Sequence, residues 1–270
     1  MPGAFVYSAI ARPTRQHCDP VMTIVGLGEQ VQTLLLDIEG TTTPLDFVRN
    51  LLFPYARSHV RPFLEQHCAS EDVRADLSTL YQEHLGDMRA GLNPPPLNYN
   101  SPQSRLESMV AYIEWLMARD RKSTPLKSLQ GKIWEEGYRS GELLAPVFND
   151  VPAAFQRWQG QGRTMAIFSS GSVLAQRLLF AHTSSGDLTP RISGYFDTTT
   201  GPKTDSASYQ RIALSLQRRP HEIVFISDTA AELDAAESAG FQVLLCERAG
   251  NQPQPPSPYP RIRSFENILP

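Results

Sequence analysis

LLLDIEGTTTP, residues 34–44, carries an apolar run straight into two carboxylates and then into a turn. Three leucines ending at Asp37 read as a buried strand, because a continuous apolar run belongs to a sheet covered on both faces. Gly40 marks the turn, and Thr41 is placed to steady it by a hydrogen bond. A turn cap would explain Asp37 by itself. The acid that returns at Glu39 is not explained that way, so the other strand ends become the question.

Three further runs repeat the apolar pattern: TMAIFSS (164–170), EIVFISD (222–228) and QVLLC (242–246). Helical patterns lie between them. SVLAQRLLF (172–180) sets Val173, Leu174, Arg177 and Leu178 at helical spacing behind Ser172 as N-cap. SASYQRIALSL (206–216) aligns Tyr209, Ile212, Ala213 and Leu216 on one face. Thr229 and Glu232 have the spacing of a capping box, and Gly240 is a helix stop. Strand and helix in alternation predict an α/β fold with a parallel sheet and right-handed crossovers.

The stretch between the first two strands reads as helix instead. FVRNLLFPYARSHVRPFLEQH (47–67) should be broken by Pro54 and Pro62, and EDVRADLSTLYQEH (71–84) follows. SRLESMVAYIEWLMARD (104–120) carries an apolar stripe through Leu106, Met109, Val110, Ile113, Leu116 and Met117, with Ser104 and Glu107 as a capping box. The expected organisation is a helical module over residues 47–149, inserted into an α/β core of residues 31–46 and 150–270, where it caps the strand ends. Residues 1–30 show no sustained period and are expected to be a poorly ordered extension, with Met22 an alternative start. The proline-rich tail 250–261 is expected on the surface, with IRSFENIL packing back.

Ligands of open α/β sheets bind beyond the carboxyl ends of the strands. There the chain delivers Asp37 and Glu39, then Ser169 and Ser170, then Asp228, while Lys203 stands just before a helix. Each alone reads as structural: a turn cap, a helix cap, a solvated lysine. Their joint placement points to chemistry. Clustered carboxylates need a cation, and oxygen-only donors favour a hard ion such as Mg²⁺. Hydroxyls, the N–H groups of SSGS and an ammonium suit phosphate oxygens. An aspartate can attack phosphorus, and a second acid can protonate the leaving oxygen and later activate water.

DIEGT (37–41), FSSGS (168–172), Lys203 and ISDTAAE (226–232) resemble the four ordered motifs of the haloacid-dehalogenase-like phosphatases, whose first motif is commonly DxDxT. Glu39 departs from that pattern. DIEGTTTP, LQGKIW (129–134), SSGSVLAQRLLF (169–180), GYFDT (194–198), SYQRIA (208–213) and ERAGN (247–251) are similar to the enolase-phosphatase E1 family of methionine salvage, over residues 33–268. The resemblance implies a Rossmann-like core with a helical cap after the first strand. It implies that 2,3-diketo-5-methylthiopentyl-1-phosphate is enolised and then dephosphorylated to the acireductone. It implies Asp37 as nucleophile and metal ligand, and Glu39 as acid/base that also lends its backbone carbonyl to the metal. Ser169 and Ser170 would bind phosphate beside Lys203, Asp228 would complete the ligation of one Mg²⁺ per subunit, and Glu232 would support the metal's waters. The enolisation base is left open among cap residues such as those of LQGKIWEEGY, where Trp134 is placed to approach substrate. The alternative is a Mg²⁺-dependent phosphatase of the same superfamily acting on another small phosphate ester. A metal-free dehalogenase has no use for Glu39, and a silent binding protein has no need of nucleophile, acid, lysine and metal ligand together.

Composition narrows the class. With 41% hydrophobic and 20% charged residues and a net charge of −3, the chain has a core's worth of apolar material and no basic footprint for nucleic acid. Its three cysteines, Cys18, Cys68 and Cys246, form no CxxC pair and suit a reducing cytosol. No apolar run suits a membrane span. The expected compartment is the cytoplasm, or also the nucleus in a eukaryote, and the resemblance implies a monomer with a small phosphorylated diketone as its partner.

Overall fold

In the computed structural model, residues 27, 30–253 and 257–269 are described. The expectation of an extension over residues 1–30 falls outside them, but for Leu27 and Gln30. Six strands form one parallel sheet in the order β3-β2-β1-β4-β5-β6. They are β1 (Thr33–Leu36), β2 (Thr164–Phe168), β3 (Ile192–Phe196), β4 (Ile223–Ser227), β5 (Gln242–Cys246) and β6 (Arg261–Ile262). The chain adds β2 and β3 on one side of β1, then returns to its other side for β4. That reversal makes the crevice beyond the ends of β1 and β4 the switch point where α/β sheets bind ligands. β3 and β6 are additions to the four strands read from the sequence. ISGYF hides β3 because Ser193 and Gly194 dilute an edge strand that is only half covered.

All four residues of β1 are buried because both faces of the sheet are covered. Alternate side chains sort into two cores. Leu34, Leu36, Ile167 and Ile226 pack with α5 (Asp150–Gly160), α6 (Val173–Ala181) and the C-terminal Phe265 and Ile268. Leu35, Phe168, Phe225 and Leu245 pack with α7 (Ser206–Ser215) and α8 (Ala230–Ser238). Each such fully buried side chain contributes roughly 1.5–3 kcal/mol over leaving it in water.

Between β1 and β2 lie α1 (Phe53–His67), α2 (Glu71–Arg89), α3 (Pro102–Ala118) and α4 (Thr124–Ser140), with a π-turn at Val48–Leu52 leading into α1. Val60, Leu64, Leu80, Ile113, Leu116 and Leu129 give them a core of their own. Tyr55 and Trp134 pack against both this core and that of the sheet.

Several local expectations need correction. Pro54 sits in the first turn of α1, directly after the π-turn that runs into it, and Pro62 lies inside the helix; neither ends it. Buried Val60, Phe63 and Leu64 around Pro62 outweigh one lost bond, and the carbonyl left over belongs to exposed Ser58. α3 is capped by Ser101, whose hydroxyl accepts from the Ser104 N–H, with Pro102 in the first turn. The buried face of α6 is Gln176, Leu179 and Phe180, and Leu174 is exposed. Among the described residues, no helix is long and apolar enough to cross a membrane.

Candidate active site

The turn after β1 is built around one carbonyl. Ile38 O accepts the N–H groups of Thr41, Thr42 and Thr43, and the hydroxyls of Thr42 and Thr43 as well. Three threonines in a row therefore close the turn, each fully buried. Thr41 takes part through its backbone alone; its hydroxyl has no partner among the described residues. Gly40 has φ 71°, and a Cβ there would run into Asp228, with Asp228 Cγ at 2.8 Å. Only glycine lets the two acidic loops approach this closely.

Asp37, at the end of β1, is buried, with Oδ1 accepting from the Ile38 N–H at 2.7 Å and from Lys203 Nζ at 2.7 Å. Lys203 also contacts Glu232 Oε2 at 2.6 Å. Ser227 donates at 2.8 Å to the same Glu232 oxygen. Glu232 therefore faces inward and makes no capping box with Thr229, because the buried ammonium claims its carboxylate. Burial opposes the charge on Lys203, yet the Asp37 and Glu232 carboxylates hold it above the usual lysine range. Tyr209 fixes the lysine backbone by donating to Lys203 O at 2.6 Å.

Asp228 follows β4 and is buried against Gly40. Ser169 is buried after β2, where its Oγ accepts from the Gly171 N–H at 3.2 Å, and Ser170 beside it is exposed. Glu39 is exposed as a residue, but the surrounding protein still crowds its carboxyl. Burial and Asp37 push Glu39 up to about 7 and Asp228 up to about 6. Four carboxylates with one ammonium among them leave negative charge uncompensated. Oxygen donors in such excess fit a hard divalent cation. Among the described residues, no three acidic, histidine or cysteine side chains form a ready-made cage.

A cavity of about 740 Å³ opens above these groups. Its floor is Glu39 with Ser169, Ser170 and Gly171, and its far walls come from the π-turn with α1, the end of α3 with the turn after it, and α4, including Leu52, Arg121 and Trp134. Asp37, Lys203 and Asp228 lie beneath this floor and do not line the cavity. Trp134 donates to Leu52 O at 2.8 Å, so the indole is pinned at the wall. The charged side chains of LQGKIWEEGY are engaged elsewhere: Lys132 with Asp72 and Asp76, Glu135 with Arg139, Glu136 with His67.

Residues without a role in the sequence reading hold the site in place. Asp197, after β3, accepts the Val173 N–H at the start of α6 and both donors of Thr199. Gln176 donates to Gly171 O and Phe196 O, securing the SSGS loop from behind. Within ERAGN, Arg248 donates to Thr41 O at 3.1 Å and Asn251 to Gly40 O at 2.9 Å, so two successive carbonyls of the acidic turn are held. Arg248 lies between the rings of Phe148 and Phe265 and pairs with Asp150 at 2.7 Å. The GYFDT and ERAGN stretches were the available signals, but neither names its contact.

Comparison with known proteins agrees with this fold. The family description for haloacid dehalogenase-like hydrolases matches residues 31–240. The enolase-phosphatase E1 of Synechococcus elongatus is 52% identical over 241 residues, covering 88% of this chain and 98% of the relative. That of Drosophila simulans is 42% identical over 226 residues, covering 83% and 86%. The crystal structure of the UTR4 protein from Saccharomyces cerevisiae superposes with a TM-score of 0.72 at 35% identity, covering 88% of this chain and 100% of the other.

Proposed function

The chain belongs to the enolase-phosphatase E1 family of haloacid dehalogenase-like hydrolases, and from that premise we infer how its own residues carry the reaction. The substrate is 2,3-diketo-5-methylthiopentyl-1-phosphate, enolised first and then hydrolysed to acireductone and phosphate. The observation that carries this reading is Lys203, buried between Asp37 and Glu232 under the floor of a cavity that Glu39 and the two serines line. A buried ammonium beside a buried carboxylate at a strand end suits a phosphoryl group in transit.

Ser169 and Ser170 receive the phosphate, and Lys203 offsets its charge. Asp37 attacks phosphorus, the bond to the ester oxygen breaks, and an aspartyl-phosphate forms. Glu39 gives its proton to the leaving oxygen, then takes one from the water that attacks phosphorus and frees Asp37. Asp37, Asp228 and the Glu39 backbone carbonyl would hold one Mg²⁺, which when bound neutralises the phosphoryl oxygens. Glu232, occupied by Lys203 and Ser227, steadies the lysine. The helices α1–α4 serve as a cap over residues 47–149, on a core of residues 31–46 and 150–270. We place the enzyme in the cytoplasm as a monomer, in keeping with the free thiols of Cys68 and Cys246.

Asp37→Asn keeps the shape and removes the nucleophile. Phosphate release from the diketone phosphate should fall at least about 1,000-fold with thermal unfolding within a few degrees of the parent. Normal release by the folded variant would remove Asp37 from the reaction.

A further inference from the structure

Enolisation demands more than the phosphate groups provide. A proton leaves the carbon between the phosphate ester and the keto group for a base, a part the Glu39 carboxylate can take at the cavity floor, and its bonding pair forms the new C=C bond. The carbonyl pair moves onto oxygen, which then takes a proton. While that oxygen is anionic it needs a donor, and in a low-dielectric cavity a fixed one is worth most. Ser169, Ser170 and Lys203 serve the phosphate end. With its phosphate at the serines, the substrate would extend its diketone along the cavity toward the wall that holds Arg121.

Several cations line the cavity, and they differ in how they are held. Arg49, Arg57 and Lys127 are exposed, and Lys122 is an exposed side chain paired with Asp120. Arg121 is half-buried and anchored: its Nη2 contacts Asp87 Oδ1 at 2.7 Å. Asp87 is buried in α2, and its other oxygen accepts from the Tyr112 hydroxyl at 2.8 Å. Tyr112 is fully buried in α3 and meets His84 edge-on. The turn that presents Arg121 is equally defined. Asp120 adopts φ 47°, and the Asp120 and Arg121 N–H groups close back onto Met117 O and Leu116 O.

A buried carboxylate with its cation at the edge of a small helical core is a poor device for stability, since an apolar replacement often serves as well. It is a good device for orientation. With Asp87 on one nitrogen, the planar fork keeps other N–H donors for a ligand, and its geometry matches two neighbouring oxygens. We propose that Arg121, held by Asp87 and Tyr112, is the specificity-determining residue that donates to the vicinal carbonyl oxygens of the substrate and stabilises the enolate. This rests on the enolase-phosphatase reading above.

The test compares Arg121→Gln, Arg121→Lys and Asp87→Asn with the parent, on the diketone phosphate and on p-nitrophenyl phosphate, each with Mg²⁺. Because the charge on oxygen develops during reaction, the loss should appear in kcat more than in KM. Arg121→Gln should lower kcat for enolisation about 100-fold, the scale of a charged hydrogen bond, and lower turnover of the simple ester less than about tenfold. Arg121→Lys should recover only part of the loss, because a point charge cannot reproduce the fork. Asp87→Asn, which keeps the shape of the anchor, should lower enolisation about tenfold while ester turnover changes less. If Arg121→Gln and Arg121→Lys leave the ratio of the two activities unchanged, the inference is overturned, whether both are retained or both are lost. A parent protein that cleaves the simple ester but never enolises the diketone overturns the functional reading first, and the role of Arg121 with it.

Discussion

At the scale of single residues, the unusual choice is Glu39 where the wider superfamily commonly has aspartate. The turn that carries it is rigid: Ile38 O gathers the threonines, and Gly40 is pressed against Asp228. One methylene in the side chain therefore changes where the carboxyl reaches, since the backbone cannot follow. Among the acidic side chains that line the cavity, Asp120 is paired with Lys122, which leaves Glu39 to move protons at the floor. Glu39→Asp should retain turnover of a simple phosphate ester within about tenfold and lose enolisation by about 100-fold or more. Parallel assays on the two substrates check this, and equal loss of both activities would assign the extra reach no special task.

At the scale of elements, the phosphate loop depends on how α6 begins. Ser172 caps the helix from within, and Asp197 reaches over from the end of β3 to accept the Val173 N–H. Burial opposes the charge of Asp197, but the hydrogen bonds from Thr199 and Val173 win and hold it below the usual carboxylate range. A carboxylate depressed on folding stabilises the protein above its unfolded pKa, near 4, and loses that contribution as pH falls through the folded value. Asp197→Ala should cost about 1 kcal/mol at pH 7. Denaturant unfolding of both proteins should show that gap narrowing on acidification below about pH 4. A gap independent of pH would mean that the charge contributes nothing. Such contacts were illegible in the sequence for a physical reason. The apolar runs of β1, β2, β4 and β5 reveal themselves because both faces are buried, and the motif residues at their ends follow. Asp197 and Arg248 work through partners more than 20 and 200 residues away, a relation that no local period encodes. Glu232 was misleading for the same reason: its spacing from Thr229 suggests a cap, while Lys203 from another loop takes its carboxylate.

At the scale of the whole molecule, the cavity needs both the sheet and the helices α1, α3 and α4. Its floor comes from the ends of β1 and β2, and its far wall from α1, α3 and α4. The segment leading out of α4 ties the two parts together beside the site. Glu142 accepts from the Tyr55 hydroxyl, Ala145 donates to His182 O, and Phe148 donates to Thr42 O within the acidic turn. Arg248 stacks on Phe148 and holds the neighbouring Thr41 carbonyl, so the C-terminal loop, the linker and the nucleophile turn are joined in one network. The most direct measurement mixes the purified protein with the diketone phosphate and Mg²⁺, and follows enol absorbance and phosphate release in the same time course. The enol signal should rise before phosphate appears, and chelating the metal should suppress phosphate release. Release of phosphate with no enol formed, or equal turnover after chelation, would contradict the account.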